Sequence, residues 1–217
     1  TRKPDSGSCS GVISNDDIKL DGFVSPVSSG RKLTSTELTN SIPLTVRVKN
    51  LDDMASTSTL TFSYSINGGL TVTDPAVAPT IIAGATYDYT FLAPIDLSNV
   101  NKYNIEVTVT KTGDPVLANN TRTLVIKQLD NPLITLPFTD NMDAAPVQLF
   151  TTPQMGLQNL DRYDFVNNSI YGRIRTFINT GIAYSGNRAL TLDADRYNGG
   201  NTDSLTGTYN IDFTGYN

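Results

Sequence analysis

The feature that most constrains this chain is the alternation of apolar and polar residues in segments of strand length. Leu60, Phe62 and Tyr64 alternate with threonine and serine, and the turn sequence Asn67–Gly69 follows. Neighbouring side chains of a strand point to opposite faces of a sheet, so this alternation predicts half-buried strands. Asn and Gly tolerate the positive φ that a tight hairpin needs. No long segment repeats its apolar residues with the helical period of about 3.6 residues. The pattern predicts an all-β fold.

Seven or eight such segments lie between residue 17 and about residue 128, with turn signals between them. This spacing predicts an immunoglobulin-like antiparallel sandwich. The residues predicted to share inward faces are Leu44, Val46 and Val48; Tyr87, Tyr89 and Phe91; and Tyr103, Ile105, Val107 and Val109. Tyr103 opens its strand and suits the tyrosine corner of such sandwiches, which is a structural role.

The composition excludes several kinds of chemistry. The 217 residues include no His, no Trp and one Cys, so Ser–His and Cys–His nucleophile pairs and His-containing zinc sites are ruled out. The net charge of −5 leaves no basic stripe for nucleic acid. No apolar run reaches the roughly 20 residues of a membrane-spanning helix. The many aspartates leave a chance pair of hydrolytic carboxylates geometrically open, but no nucleophile or phosphate-loop motif is present. We therefore expect a protein that is not an enzyme.

The order of the segments predicts two β modules. Residues 1–16 are rich in Ser, Gly and Asp and are predicted to be a linker or upstream tail. The sandwich is expected over 17–128, a Pro-containing linker over 129–135, and a second all-β module over 136–217. The opening residues show no signal-peptide pattern, which suggests an internal or mature segment of a longer protein. Cys9 is either an incidental thiol or the partner of a cysteine elsewhere in that protein.

An acidic, Gly-rich stretch near the C-terminus is the best small-ligand candidate. Ca²⁺ binds six to eight hard oxygens, and Asp193, Asp195 and Asp203 with neighbouring carbonyls are the candidate ligands. The alternative is a solvated loop with Asx-turns, and the sequence leaves both open. Asp140, Asn141 and Asp143 form a second acidic group.

Tyrosines are the other residues in the second module that could contact a ligand. They suit either core packing or an interface, because each joins a large apolar ring to a polar tip. They are Tyr163, Tyr171, Tyr184, Tyr197 and Tyr216.

An ordered set of short motifs in the first module carries a family resemblance. The motifs are NDDI at 15–18, VSP at 24–26, GRKLT at 30–34, VRVKN at 46–50, YSINGG at 64–69, IAGAT at 82–86 and ANNT at 118–121. Together they resemble the CARDB-type immunoglobulin-like adhesion module, in the form repeated in large secreted proteins of Bacteroidetes. The resemblance covers residues 15–128.

The second module resembles part of a MAM-like or concanavalin-like jelly roll. LPFTDNM at 136–142 is similar to the opening strand of that fold, and GIAYSGNRALTLD at 181–193 is similar to one of its inner strands. A complete jelly roll is longer than 136–217, so the resemblance implies a partial one.

These resemblances imply a non-catalytic spacer or adhesion segment of a secreted or cell-surface protein, such as a type IX secretion substrate used in adhesion or gliding. The implied partners are a protein or glycan at the cell surface and components of the secretion machinery, with no nucleic acid and no membrane insertion. No cofactor is implied, except Ca²⁺ in the acidic loop. Ser204 follows Asp203 in a pattern similar to the O-glycosylation site of exported Bacteroidetes proteins. The alternatives are accessory modules of a secreted hydrolase, such as a peptidase, or a carbohydrate-binding module.

Overall fold

The structure is a computed structural model that describes residues 16–26, 34–140, 142–150, 152–167, 173–178, 183–193 and 202–216. Within these residues the regular structure is strand, apart from one 3₁₀ turn at Leu117–Asn119. The predicted all-β fold class is confirmed, and most strand pairs are antiparallel.

Fifteen strands are present in the described residues. The first eight are β1 (Ile18–Ser25), β2 (Thr34–Ser35), β3 (Thr45–Asn50), β4 (Leu60–Ile66), β5 (Val72–Thr73), β6 (Thr86–Thr90), β7 (Asn101–Lys111) and β8 (Thr121–Gln128). The others are β9 (Leu133–Thr135), β10 (Gln148–Phe150), β11 (Tyr163–Asn167), β12 (Arg173–Ile178), β13 (Arg188–Asp193), β14 (Asp203–Gly207) and β15 (Asn210–Asp212).

The chain divides into two compact units. The first contains Thr1–Val27, Thr39–Leu97 and Tyr103–Val125, and the second contains Ser28–Leu38, Ser98–Lys102 and Ile126–Asn217. Residues 34–38 belong to the second unit because β2 pairs in parallel with the last two residues of β8. The sequence pattern did not indicate this pairing, since a strand of two residues carries no alternation.

The first unit is a sandwich of two sheets. One sheet has the order β1-β3-β6, and the other contains β8, β7, β4 and β5 in that order. Their inner faces meet through aromatic rings. Phe62 of β4 stacks on Tyr89 of β6, with ring centroids 3.9 Å apart and planes within 5°, and Phe91 packs edge-on against Phe62. Such pairs add about 0.5–1.5 kcal/mol beyond the area they bury.

The predicted alternation is confirmed along the strands of the first unit. The predicted inward residues that are buried are Leu44, Val46, Val48, Tyr89, Phe91, Tyr103, Ile105, Val107 and Val109. The hairpin between β4 and β5 is also confirmed. Asn67 and Gly68 have φ values of 53° and 68°, and Tyr64 faces Val72 across the hairpin.

The second unit combines short antiparallel ladders with one parallel pair. The strand orders are β10-β12-β13 and β11-β14, while β9 and β15 run parallel. A small apolar core is formed by Ala145, Phe150, Leu157, Leu160 and Phe165. The partial jelly roll inferred for this region stays a prediction.

Two segments of the second unit differ from the sequence-based expectation. The region 129–135, predicted to be a linker, contains β9, whose three residues pair with β15. The expected opening strand at 136–142 is wrong for its described residues, which have no strand structure. Pro137 has no amide hydrogen for a ladder, and Asp140 Oδ1 accepts a hydrogen bond from the Met142 amide, which favours a turn. The module boundaries at 128 and 136 stay predictions.

Candidate functional site

A cleft in the second unit is the best candidate for a functional site. It has a volume of about 390 Å³, within the range of small-molecule pockets. Three segments line it: 132–140, which contains β9, the turn 159–163, and Tyr209 just before β15. The parallel pairing of β9 with β15 brings Tyr209 beside the first segment, although they are some 70 residues apart in sequence. We call it the Phe138–Tyr209 cleft.

Strand pairing and a tight turn position the side chains of the cleft. Tyr163 begins β11 and faces Gly207 on β14. A Cβ at Gly207 would lie 2.8 Å from Cε1 of Tyr163, so the absence of a side chain lets the ring lie across the neighbouring strand. The turn before β11 is closed by a hydrogen bond from the Leu160 amide to the Leu157 carbonyl, with Asn159 at a φ of 60°.

One carboxylate and two phenols form a hydrogen-bonded cluster at the wall of the cleft. The Tyr163 hydroxyl donates to Asp140 Oδ2 at 2.9 Å, and the Tyr209 hydroxyl also contacts this oxygen. The two hydroxyl oxygens are 2.9 Å apart. Each phenol has a single proton, so Tyr209 donates either to Asp140 or to Tyr163.

This cluster holds its groups in fixed protonation states at neutral pH. Burial raises the pKa of Tyr163 and of Tyr209, and hydrogen bonding to the Asp140 carboxylate raises both further. Partial burial opposes ionisation of Asp140, but hydrogen bonds from Tyr209, Met142 and Tyr163 outweigh it and lower the pKa of this carboxyl below its usual value. The hydrogen bonds join the carboxylate and the two phenols into one polar cluster at the wall of the cleft.

Arg162 fixes the aromatic wall of the cleft. Its guanidinium lies 5.6 Å from the ring centroid of Tyr209 and donates to the carbonyl oxygens of Asp130 at 2.8 Å and Thr208 at 3.2 Å. The ring of Phe138 packs against Tyr209 with centroids 4.9 Å apart. These contacts hold the Tyr209 ring in one orientation, which lowers the entropy cost of binding a ligand against it.

The rim of the cleft is polar and its charges are matched. Asp161 Oδ1 lies 2.6 Å from the Lys127 ammonium. Asn159 also lines the cleft and donates through Nδ2 to the Ala144 carbonyl at 2.9 Å. The rim therefore offers acceptors to a ligand without adding net charge.

The comparisons with known proteins were weak. No protein-family model matches the chain, and no curated protein matches it. Among solved structures, the chain is similar to the CARDB domain of a Pyrococcus furiosus protein, crystallised in complex with di-metal ions. The identity is 20%, the match covers 55% of this chain and 97% of that one, and the TM-score is 0.33. That domain belongs to the family that the motifs at 15–121 resemble. At this identity and TM-score the likeness carries no argument about function.

The predicted calcium ligands lie at the edge of what the structure describes. Asp193 ends β13 and Asp203 begins β14, while Asp195 lies outside the described residues. The structure describes the backbone but not the side chains of Asp193 and Asp203, so the Ca²⁺ site stays a prediction. Across the described ranges, no group of three acidic, His or Cys side chains is placed to hold a metal ion.

The second acidic group has a structural use. Asp140 belongs to the tyrosine cluster. Asp143 Oδ1 accepts hydrogen bonds from the amides of Asn187 at 2.9 Å and Arg188 at 3.1 Å. Asn141 lies outside the described residues. The two carboxylates therefore hold chain segments in place.

The remaining sequence candidates fall in different places. Ser204 is exposed on β14, and its hydroxyl donates to the Val166 carbonyl at 3.3 Å, so glycosylation there stays a prediction. Tyr163 lies in the cleft, and Tyr184 is fully exposed. Tyr216 is exposed, and its hydroxyl donates to the Leu136 carbonyl. Three candidates lie outside the described residues: Cys9, Tyr171 and Tyr197.

Sequence reasoning missed most of the cleft. Arg162 and Tyr209 belong to no motif, Phe138 is part of the LPFTDNM motif but carries no sign of a cleft, and Asp161 resembles any turn aspartate. The pairing of β9 with β15 and the turn before β11 together bring them to the cleft. The described residues contain no helix with the length and hydropathy of a membrane span.

Raising the pH above 10 is expected to destabilise the second unit through Tyr163. Its pKa in the folded state is raised above the value of 10.0 for a free tyrosine. The stability that this phenol contributes is therefore present below pH 10 and lost as the pH rises towards its folded pKa. Urea unfolding at pH 8.5 and at pH 10.5, followed by circular dichroism, measures the loss.

The Tyr163→Phe variant is expected to be less stable than the wild type at pH 8.5 but to lose less stability on going to pH 10.5. Tyr184→Phe is the matched control, because the Tyr184 side chain is fully exposed. If the wild type and Tyr163→Phe lose the same stability between pH 8.5 and pH 10.5, the ionisation of Tyr163 is not the cause of the loss.

Proposed function

We propose that this chain is a non-catalytic spacer and adhesion segment of a secreted or cell-surface multidomain protein, and that it acts through the Phe138–Tyr209 cleft of its second unit. In this proposal the first unit acts as a β-sandwich spacer. The partner is a protein or glycan at a cell surface.

The geometry of the tyrosine cluster and of Arg162 is the observation that carries this proposal. The Asp140 carboxylate is held ionised, because its pKa is lowered, and the phenols of Tyr163 and Tyr209 are held protonated. The three groups are joined by hydrogen bonds to one another, which favours a fixed recognition surface. The guanidinium of Arg162 is held by two carbonyl oxygens and the Tyr209 ring, which also favours a fixed binding surface.

The resemblances in sequence support the finer parts of the proposal. The motifs at 15–121 resemble the CARDB-type module in the form repeated in large secreted proteins of Bacteroidetes, and the motif at 181–193 resembles a strand of a jelly roll. On that basis we include adhesion or gliding as the process and the secretion machinery as a transient partner. A glycan on Ser204 and Ca²⁺ bound near Asp193, Asp195 and Asp203 complete the proposal.

A second candidate is favoured by the cleft itself. An aromatic wall with a polar rim is also what an accessory binding module of a secreted hydrolase needs, to hold the enzyme on its substrate. The parent open reading frame separates the two. Further repeats and a C-terminal sorting domain favour adhesion, whereas a peptidase or other hydrolase domain favours the accessory role.

The test is a binding assay run together with a turnover assay on the 217-residue chain. Surface-displayed glycans and extracellular-matrix proteins are immobilised, and retention of the chain is measured with and without Ca²⁺. Peptide, ester and glycoside substrates are incubated with the same preparation. We expect retention on at least one surface, without consumption of any substrate.

Matched variants connect this result to the cleft. Phe138→Ala removes a ring from the cleft wall and is expected to reduce retention, whereas Phe213→Ala removes an exposed ring outside it and is expected to have no effect. Turnover of any substrate by the chain would overturn the proposal, and so would retention that Phe138→Ala leaves unchanged.

A further inference from the structure

We infer that the Phe138–Tyr209 cleft binds a short, uncharged saccharide, with one sugar face against the Phe138 side of the wall and sugar hydroxyls on the rim formed by Thr139, Asn159 and Asp161. This inference rests on the proposed binding function and adds the class of ligand. Four properties of the cleft support it: its size, its apolar wall, its free acceptors and its balance of charge.

The size and the wall suit one or two sugar rings. The volume of about 390 Å³ lies near the lower end of the usual range for small-molecule pockets. Ile134, Phe138 and Leu160 give the cleft an apolar side. Phe138 remains 38% exposed, so ring surface is available to a ligand even though Phe138 also packs on Tyr209. The C–H face of a sugar gains most by covering such a ring.

The rim supplies hydrogen-bonding groups that the protein does not use. Within the described part of the chain, the Thr139 hydroxyl and the Asn159 amide oxygen have no hydrogen-bond partner. Asp161 is 67% exposed at its side chain and is paired through one carboxylate oxygen, Oδ1. A polyol both donates and accepts hydrogen bonds, and acceptors at the mouth of an apolar cleft select for it over an alkyl ligand.

The balance of charge argues against an ionic ligand. Asp161 is paired with Lys127, and Arg162 donates to two backbone carbonyls while it lies over the Tyr209 ring. The charge on Asp140 is stabilised by the two phenols and the Met142 amide. The carboxylates of Asp140 and Asp161 would repel an anion. A cation would bind over the face of the Tyr209 ring, where the Arg162 guanidinium already lies. A neutral ligand avoids both costs.

The experiment titrates the full 217-residue chain with defined sugars by saturation-transfer difference NMR and calorimetry. The neutral probes are maltose, cellobiose, lactose and mannobiose, and the charged probes are galacturonic acid and glucosamine. We expect at least one neutral disaccharide to bind with a dissociation constant of about 1 mM or lower, and the charged sugars to bind at least about tenfold more weakly.

Three variants locate the site. Phe138→Ala is expected to weaken binding by about tenfold or more, because it removes the ring. Asp161→Ala alters a side chain that is largely exposed, so it keeps the test valid if Phe138→Ala fails to fold; we expect it to weaken binding severalfold. Phe213→Ala is the control and is expected to leave binding unchanged. Equal effects of Phe138→Ala and Phe213→Ala would overturn the assignment to this cleft.

The outcomes separate this inference from the proposed function. If a charged sugar binds more tightly than every neutral disaccharide tested, the neutral-saccharide inference is overturned. The absence of binding by any neutral probe at about 10 mM, with retention on a protein surface that still depends on Phe138, would overturn it while leaving the binding function standing. Hydrolysis of a bound disaccharide would overturn the proposed non-catalytic function, although the ligand class would hold.

Discussion

Replacing Phe62 with alanine is expected to lower the free energy of unfolding of the first unit by about 3–5 kcal/mol. Phe62 is fully buried between the two sheets. Its ring stacks on Tyr89 at 3.9 Å and meets Phe91 edge-on at 6.4 Å. The truncation removes these contacts and leaves a cavity that rigid strands on both sides close only in part.

The matched control is Phe213→Ala, the same substitution at a side chain that is 65% exposed. Urea unfolding at neutral pH, followed by circular dichroism, gives both values. The control is expected to change stability by less than about 0.5 kcal/mol. A loss below about 1 kcal/mol for Phe62→Ala would contradict the packing of Phe62 between the two sheets.

Replacing Lys111 with methionine is expected to destabilise the first unit by about 3 kcal/mol at neutral pH. The Lys111 side chain is 1% exposed, and its ammonium lies 2.7 Å from Asp16 Oδ2 and donates to the Asp16 carbonyl at 2.6 Å. The buried carboxyls of Asp17 and Asp114 lie in the same part of the unit. Methionine keeps most of the volume, so the expected loss comes from removing the cation that compensates these carboxylates.

The loss from Lys111→Met should be smaller at acid pH. Burial raises the pKa of Asp17, as does the neighbouring Asp114 carboxylate, while the Lys111 ammonium opposes the rise. A carboxyl with a raised folded pKa contributes stability at low pH that is lost as the pH rises through that pKa. Without Lys111 the pKa of Asp17 rises further, so the penalty at pH 7 exceeds that at pH 4.

Urea unfolding of the wild type and Lys111→Met at both pH values measures this difference. Lys19→Met removes a surface ion pair with Asp21 and serves as the control, with an expected change of about 0–1 kcal/mol. If Lys111→Met were as mild as the control, or equally severe at both pH values, the compensating role of Lys111 would be refuted.

The cleft and the buried side chain of Lys111 show two limits of prediction from the sequence. Alternation was followed along β7 as far as Val109, and the structure extends it by one more inward position to Lys111. A lysine at an inward position breaks the apolar pattern, so its burial follows only from the carboxylates that other segments supply. In the cleft, the sequence identifies Tyr163 as a candidate contact residue, but its partners Asp140 and Tyr209 lie 23 and 46 residues away along the chain.

By itself, the sequence determined the all-β class, the inward faces of the first unit and the hairpin at Asn67 and Gly68. Each of these depends on residues that are neighbours along the chain, through the two-residue period of a strand or the positive φ of a turn. The tertiary structure alone decided the parallel pairing of β9 with β15 and, through it, the Phe138–Tyr209 cleft. Three-residue strands carry too little alternation to specify a partner, so their pairing is selected by packing and hydrogen bonds that exist only in the folded unit.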